Sequence, residues 1–417
     1  MANWRVRLAS ATSAVEVRFD RVRVRVRLRL GWLDPIRVIL YRGYGTTETR
    51  FLRGRVVSRK VVRRATDSDS TWRNIRGMYR RFAGEEIPGA RVLVRFTDSG
   101  GEDGGSTDGG GTDGEDAPTE AVTDSEGFFV VAQPLASAET GWREVRVDLV
   151  APLVRGQAMG QATGQVLIPP PTAEFAVISD IDDTIVQTGA TSLLTMARIV
   201  LLGNAHTRLP FQGVAAFYAA LGDGASGQAQ NPLFYVSSGP WNLYDLLLEF
   251  MEINRIPVGP LFLQDWGLGP RQLFKASHRE HKRGVITTLL RDYPALPFVL
   301  IGDSGEMDPT IYSELAREFP GRIRAIYIRD ARLEARAAAV RALAEEFHAG
   351  STPLILASDT VAAAEHAAAH GLIAPDAVAA VRDDRERDQP IRPLAAWRRA
   401  VQLVRDRVGD AVRRRTS

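Results

Sequence analysis

Between residues 175 and 330, short apolar runs alternate with amphipathic stretches, and this alternation constrains the fold more than any other feature of the chain. Residues 175–179, 233–236, 262–263, 298–301 and 323–328 read as strands. Helices are expected at 193–202, 241–254, 283–293 and 310–319. Strands separated by helix-length segments build a parallel, doubly wound sheet with helices on both faces, an α/β architecture. Residues 331–349 read as a further helix, 354–357 as one more strand and 362–370 as another helix.

The preceding residues have a different period. Val22, Val24, Val26, Leu28 and Leu30 alternate with Arg21, Arg23, Arg25, Arg27 and Arg29, giving one apolar and one cationic face. Further extended pieces are expected at 36–41, 43–45, 49–57, 90–96, 128–132 and 145–150, with a short helix at 71–83. Strands at this spacing with Gly/Pro turns imply a β-sandwich over residues 1–168. Residues 98–118 hold almost no apolar side chains and read as a disordered, acidic, Gly-rich loop. Pro169-Pro170-Pro171 reads as a stiff linker over 169–173, followed by an α/β domain over 174–375 and an Arg-rich, partly helical tail over 376–417.

A length of 417 residues fits this division into two domains or more, and 45% hydrophobic with 25% charged residues is a globular balance. The absence of cysteine excludes a disulfide framework, a thiolate metal site and a cysteine nucleophile. The net charge of +3 hides an asymmetry: residues 1–97 carry 23 basic and 8 acidic residues, and 98–126 carry ten acids and no base. The cationic face of Arg21–Arg29 suits an anionic membrane surface, at about 1 kcal/mol per side chain near the bilayer. A solvated strand face, or an edge charged against aggregation, is the alternative. No aromatic-rich basic groove points to nucleic acid. With no apolar stretch of signal-peptide or bilayer-spanning length, a soluble, cytoplasmic protein is expected, one able to sit peripherally at a membrane.

Four short segments adjoin the apolar strands. They are Asp180-Ile181-Asp182-Asp183-Thr184, Ser237-Ser238-Gly239, Lys282 at the head of its helix, and the run Gly302–Asp308. Each alone has an ordinary reading as a turn, a helix cap or a surface lysine. Together they make an acidic, all-oxygen site of Asp180, Asp303 and Asp308, with Asp182 two residues beyond the first. Such a donor set suits Mg2+, which shares its coordination with phosphate oxygens. Asp180 is a competent nucleophile toward phosphorus, and Asp182 is placed to protonate a leaving oxygen and then accept a proton from water. The Ser237 hydroxyl and the Lys282 ammonium suit the charge on the equatorial oxygens.

This order and spacing resemble the haloacid dehalogenase-like phosphohydrolases. The resemblance implies that Asp180 is the nucleophile, Asp182 the acid/base and Thr184 a support of the turn. It also implies that Thr184, Ser237 and Lys282 bind phosphoryl, and that Asp180, Asp182 and Asp303 bind metal with Asp308 as second carboxylate. The commoner pattern has Gly where this chain has Asp183. A narrower resemblance rests on S-D-I-D-D-T-I at 179–185, P-F-Q-G-V at 210–214, Y-V-S-S-G-P-W-N-L-Y at 235–244, H-K at 281–282 and G-D-S-G-E-M-D-P-x-I-Y at 302–312. These runs, with D-T-V-A-A-A-E-H at 359–366, are similar to the lipin-related catalytic domain of fungal actin-patch phosphatidate phosphatases and their bacterial relatives. The resemblance implies a Mg2+-dependent phosphatase yielding diacylglycerol from phosphatidate. It also suggests that the N-terminal sandwich is the one preceding this domain in bacterial members. The alternatives are a phosphatase for another phosphomonoester or a phosphoprotein, and a non-catalytic docking protein. The cap of the superfamily falls here between about Gly189 and Asn231, too short for a full cap domain, so an open site that admits a membrane-bound substrate is expected. The apolar run 193–202 lies in this segment and either touches acyl chains or packs on the core.

Overall fold

The computed structural model describes residues 34–58, 85–96, 117–135, 140–154, 160–181, 184, 211–264, 278–330, 334–348 and 352–388. The Arg21–Arg29 stripe, the helix expected at 71–83, the acidic loop from 98 to 116, the apolar run 193–202, Asp182 and Asp183 lie outside the described residues.

Among the described residues the N-terminal part contains nine strands, β1 (Ile36–Leu40), β2 (Gly43–Gly45), β3 (Thr49–Ser58), β4 (Glu85–Glu86), β5 (Arg91–Phe96), β6 (Thr119–Val122), β7 (Phe128–Pro134), β8 (Gly141–Ala151) and β9 (Gln161–Ile168). Alternation decides which face is inward: Val92, Val94 and Phe96 of β5 and Val145, Val147 and Leu149 of β8 are wholly buried, while their neighbours face outward or are partly covered. The expectation of a two-sheet sandwich needs correction. The strands hydrogen-bond as one sheet in the order β1-β3-β2-β9-β8-β5-β6, with β4 and β7 also paired to β3. The ten residues of β3 are long enough to serve β1, β2, β4 and β7. The sheet curls until β6 meets β7, where Thr119 Oγ1 donates to Gln133 Oε1 at 3.0 Å. A turn at 123–127 leads into β7, with Asp124 Oδ1 accepting from the amides of Glu126 and Phe128.

After the proline run the chain enters a six-stranded parallel sheet. Its elements are β10 (Ala176–Asp180), α1 (Val214–Asp223), β11 (Leu233–Pro240), a 3-10 turn (Trp241–Leu243), α2 (Tyr244–Ile253), β12 (Leu261–Gln264), α3 (His278–Asp292), β13 (Phe298–Asp303), α4 (Asp308–Glu318), β14 (Ile323–Arg329), α5 (Glu334–His348), β15 (Leu354–Ala357), α6 (Thr360–Ala369) and α7 (Ala377–Arg387). The strand order is β12-β11-β10-β13-β14-β15, with every pair parallel. Every residue of β10, β11 and β13 is buried, as helices on both faces require. One face packs on Phe217, Leu221, Leu247, Val361 and Val381, and the other on Ile286, Leu289, Ile311 and Leu315. From β10 the chain goes out to β11 and β12, then returns to β13 on the other side. The switch point between β10 and β13 is where a doubly wound sheet opens a crevice at its carboxyl edge.

Two expectations shift. The stretch reaching Asn231 is not all cap: α1 buries Val214, Phe217, Tyr218 and Leu221, one helical face at spacings of three and four. Asn231 itself anchors the site strand, accepting at Oδ1 from the amides of Glu174 and Phe175 and donating from Nδ2 to Leu221 O. Within the expected tail, α7 buries Val378 and Val381, and its Asp384 and Asp388 accept from the amides of Ala216 and Gly213 at the start of α1.

Candidate active site

Three strands and two helices build the site. Asp180 is the last residue of β10 and Asp303 the last of β13, each 1% exposed. Sequence reading placed both just after their strands. A strand is held by its backbone ladder, so it runs on into a polar residue when the neighbouring strands continue. β11 likewise extends through Ser237, Ser238 and Gly239 to Pro240. Val236 pairs with Asp180, so Ser237 follows directly on the residue beside that carboxylate.

Lys282 was expected at the head of its helix, and here too the structure differs. α3 begins at His278, so Lys282 lies one turn inside. His278, Arg279 and Glu280 gave no apolar period to reveal that first turn, which is tied down by the Arg279–Glu314 ion pair at 2.5 Å. Asp308 opens α4, where a carboxylate suits the positive end of the helix, and Pro309 follows in the first turn.

The side chains converge. Lys282 Nζ lies 3.0 Å from Asp180 Oδ1, 2.5 Å from Asp308 Oδ1 and 3.0 Å from Glu306 Oε2. One carboxylate oxygen from each of Asp180, Asp303 and Asp308 lies within 4.8 Å of the others, the one such acidic cluster among the described residues. Thr184 Oγ1 donates to Asp180 Oδ2 at 3.4 Å. Asp303 accepts from the amides of Gly305 and Glu306, and its own amide donates to Asp308 Oδ2 at 3.2 Å. Gly302 makes this fit: a Cβ there would stand 2.3 Å from Asp308 Oδ2.

The electrostatics follow from burial. Asp303 is pushed up to about 7 by burial and then by the neighbouring Asp308. Asp308 is raised by burial against the pull of Lys282. Burial alone would lower Lys282, but Asp180 and Asp308 outweigh it and hold the ammonium well above its ordinary value. With all three buried carboxylates ionised, one ammonium would leave two negative charges uncompensated, the amount one divalent cation balances. The all-oxygen donors and the upward shift of Asp303 therefore fit a hard cation.

Asp180, Thr184, Lys282, Asp303 and Asp308 thus stand together, Ser237 stands within the adjoining strand one residue beyond the partner of Asp180, and Asp182 lies outside the described residues. Glu306, to which the motifs assign no role, sits in the same short loop as Asp303 and Asp308 and reaches Lys282 Nζ. The motifs also leave out the pair beneath Asp180: Ser179 Oγ donates to Asp180 O at 2.7 Å and meets the Tyr218 hydroxyl at 2.6 Å. No local signal in the sequence links Tyr218 to β10.

Residues 175–330 match the family model for the phosphatidate phosphatase APP1 catalytic domain. All seven expected site positions fall inside that segment, and the narrower resemblance, to the phosphatidate phosphatase catalytic domain, holds for it. Phosphatidate phosphatase APP1 of Saccharomyces cerevisiae is 37% identical over 156 residues, which are 37% of this chain and 26% of the yeast protein. An uncharacterised protein of Schizosaccharomyces pombe is 26% identical over 219 residues, 51% of this chain and 35% of that one. The match therefore spans between about a quarter and a third of the length of these relatives. Among the described residues no helix is long and apolar enough to cross a membrane.

Proposed function

We propose that this chain is a Mg2+-dependent phosphatidate phosphatase with a haloacid dehalogenase-like catalytic domain, working through an aspartyl-phosphate. The observation that carries this reading is the buried cluster of Asp180, Lys282, Asp303 and Asp308 at the carboxyl edge of the sheet, inside the segment that matches the APP1 catalytic domain.

Asp180, Asp303 and Asp308 would hold the cation, which would neutralise charge on the phosphoryl oxygens when bound. Asp180, held in place by its ion pair with Lys282, attacks phosphorus. A bond forms from its carboxylate to phosphorus, and the bond from phosphorus to the glycerol oxygen breaks. Asp182 donates a proton to that oxygen, releasing diacylglycerol. It then takes a proton from the water that attacks phosphorus, and the bond to Asp180 breaks to free phosphate. Lys282 and Ser237 bind the equatorial oxygens, and Thr184 steadies the Asp180 carboxylate.

Phosphatidate is a bilayer lipid, so turnover takes place at a membrane surface, and Arg21–Arg29 is the segment proposed to meet it. Reversing those five charges should abolish flotation with anionic vesicles; flotation equal to the parent's removes the membrane contact. A substrate panel tests the main reading. Phosphate release from phosphatidate in mixed micelles, with little from soluble monoesters or phosphopeptides, supports it. The opposite ranking gives the enzyme to another phosphate ester, and silence on all of them points to a docking protein.

A further inference from the structure

The N-terminal sheet meets the parallel-sheet part of the chain at the segment that follows Ser237. The ladder between β10 and β11 ends at the Asp180–Val236 pair, and the ladder between β11 and β12 skips from Val236 to Pro240. Ser237, Ser238 and Gly239 stand in that register break. Their placement therefore depends on what fixes the chain just beyond them, at Trp241 and Asn242.

Both residues are gripped by the N-terminal sheet. Arg55, 8% exposed, donates from Nη1 to Asn242 Oδ1 at 2.9 Å and from Nε to Glu126 O at 3.0 Å, and pairs through Nη2 with Glu86 Oε1 at 2.5 Å. The Arg53 guanidinium lies 4.8 Å from the centre of the Trp241 ring, and the Tyr41 ring centre is 4.2 Å from it. The Arg42 amide donates to the Tyr244 hydroxyl at 2.7 Å. A planar guanidinium with three acceptors in different directions admits one arrangement, so Arg55 sets where Asn242 stands relative to β3 and the turn at Glu126.

We propose that Arg55 is a positioning residue of the phosphate-binding loop: through Asn242 it fixes the far end of Ser237–Gly239, so the N-terminal sheet completes the site. The inference rests on the phosphatase reading for its catalytic consequence, and on the register break for its structural one. A joint that only glued the two parts together would add stability and leave Ser237 where it is.

The test uses the full chain. Asn242→Leu keeps side-chain bulk and loses the acceptor, Asn242→Asp keeps the acceptor, and Arg55→Lys keeps the charge and loses the fork. Asn242→Leu and Arg55→Lys should each lower kcat/KM on phosphatidate micelles about tenfold or more, as misplaced binding groups do. Asn242→Asp should stay within about threefold of wild type, because the charge-assisted bond survives. The thermal midpoint of Asn242→Leu should move by no more than roughly 4 °C, the scale of one lost hydrogen bond, and that of Arg55→Lys by more, because Glu126 O and Glu86 also lose part of the fork. Amide exchange across residues 237–243 should quicken in Asn242→Leu and Arg55→Lys and not in Asn242→Asp. Unchanged exchange and kcat/KM within about twofold of wild type in the two disruptive variants, or an equal fall in Asn242→Asp, overturns the proposal. A wild type that turns over no phosphate ester sinks the phosphatase reading instead. The exchange result then decides the positioning role by itself: quickened exchange supports it and unchanged exchange overturns it.

Discussion

Lys282 Nζ stands 3.0 Å from Asp180 Oδ1, joining the second turn of α3 to the last residue of β10. Both groups are buried, and the same ammonium also holds Asp308. Removing one partner of a buried pair leaves the others facing uncompensated charge, which costs about 3 kcal/mol or more. Lys282→Met should therefore lower the thermal midpoint in chelator and abolish phosphate release. Millimolar Mg2+ should restore part of the lost stability, because a cation replaces the missing charge. Differential scanning calorimetry with and without Mg2+ checks this. An unchanged midpoint in chelator would show that Lys282 does not balance the cluster.

Asp303 titrates near neutrality, so protons compete with the cation there. Below a pH of about 7 the carboxyl is increasingly protonated, and Mg2+ affinity should fall toward tenfold per pH unit. Isothermal titration calorimetry at pH 8 and pH 6 reads the difference, with weaker binding expected at pH 6. The sign for metal-free stability is the reverse. A carboxyl raised in the folded state binds more protons folded than unfolded. Its contribution is therefore lost as pH rises from the ordinary carboxylate range through the folded value. Metal affinity independent of pH across this window would remove Asp303 from the ligand set.

Gly302 has no room for a side chain, since an added Cβ would meet Asp308 Oδ2 at 2.3 Å and Asp308 Cβ at 2.7 Å. Gly302→Ala must push Asp308 away from Lys282 and from the Asp303 amide. Overpacking of this kind costs about 1–3 kcal/mol. The expected signature is a lowered midpoint together with weakened Mg2+ binding. Full cation affinity in this variant would mean that Asp308 lies outside the metal site.

Much of this site was legible because its strands are fully buried and therefore continuously apolar. The runs ending at Asp180 and Asp303 announce a parallel sheet, and the acids at their ends announce a site at its carboxyl edge. The errors were local. Asp180, Ser237 and Asp303 belong to their strands because the backbone ladder does not stop where apolarity stops. The first turn of α3 was hidden because His278-Arg279-Glu280 carries no apolar period. β9 was missed because Gln161-Ala162-Thr163-Gly164-Gln165 alternates only weakly, yet β8 completes its ladder from Gly141 to Asp148. The contacts of Tyr41 and Arg55 with Trp241 and Asn242 join segments far apart along the chain, and local spacing holds no trace of them.

The central claim is that the Asp180 cluster hydrolyses phosphatidate with the help of Mg2+. Phosphate release from phosphatidate in mixed micelles, measured for wild type and Asp180→Asn in Mg2+ and in EDTA, tests it most directly. The predicted result is release only by wild type in Mg2+, with Asp180→Asn folded and silent. Release by Asp180→Asn, or by wild type in chelator, would contradict it.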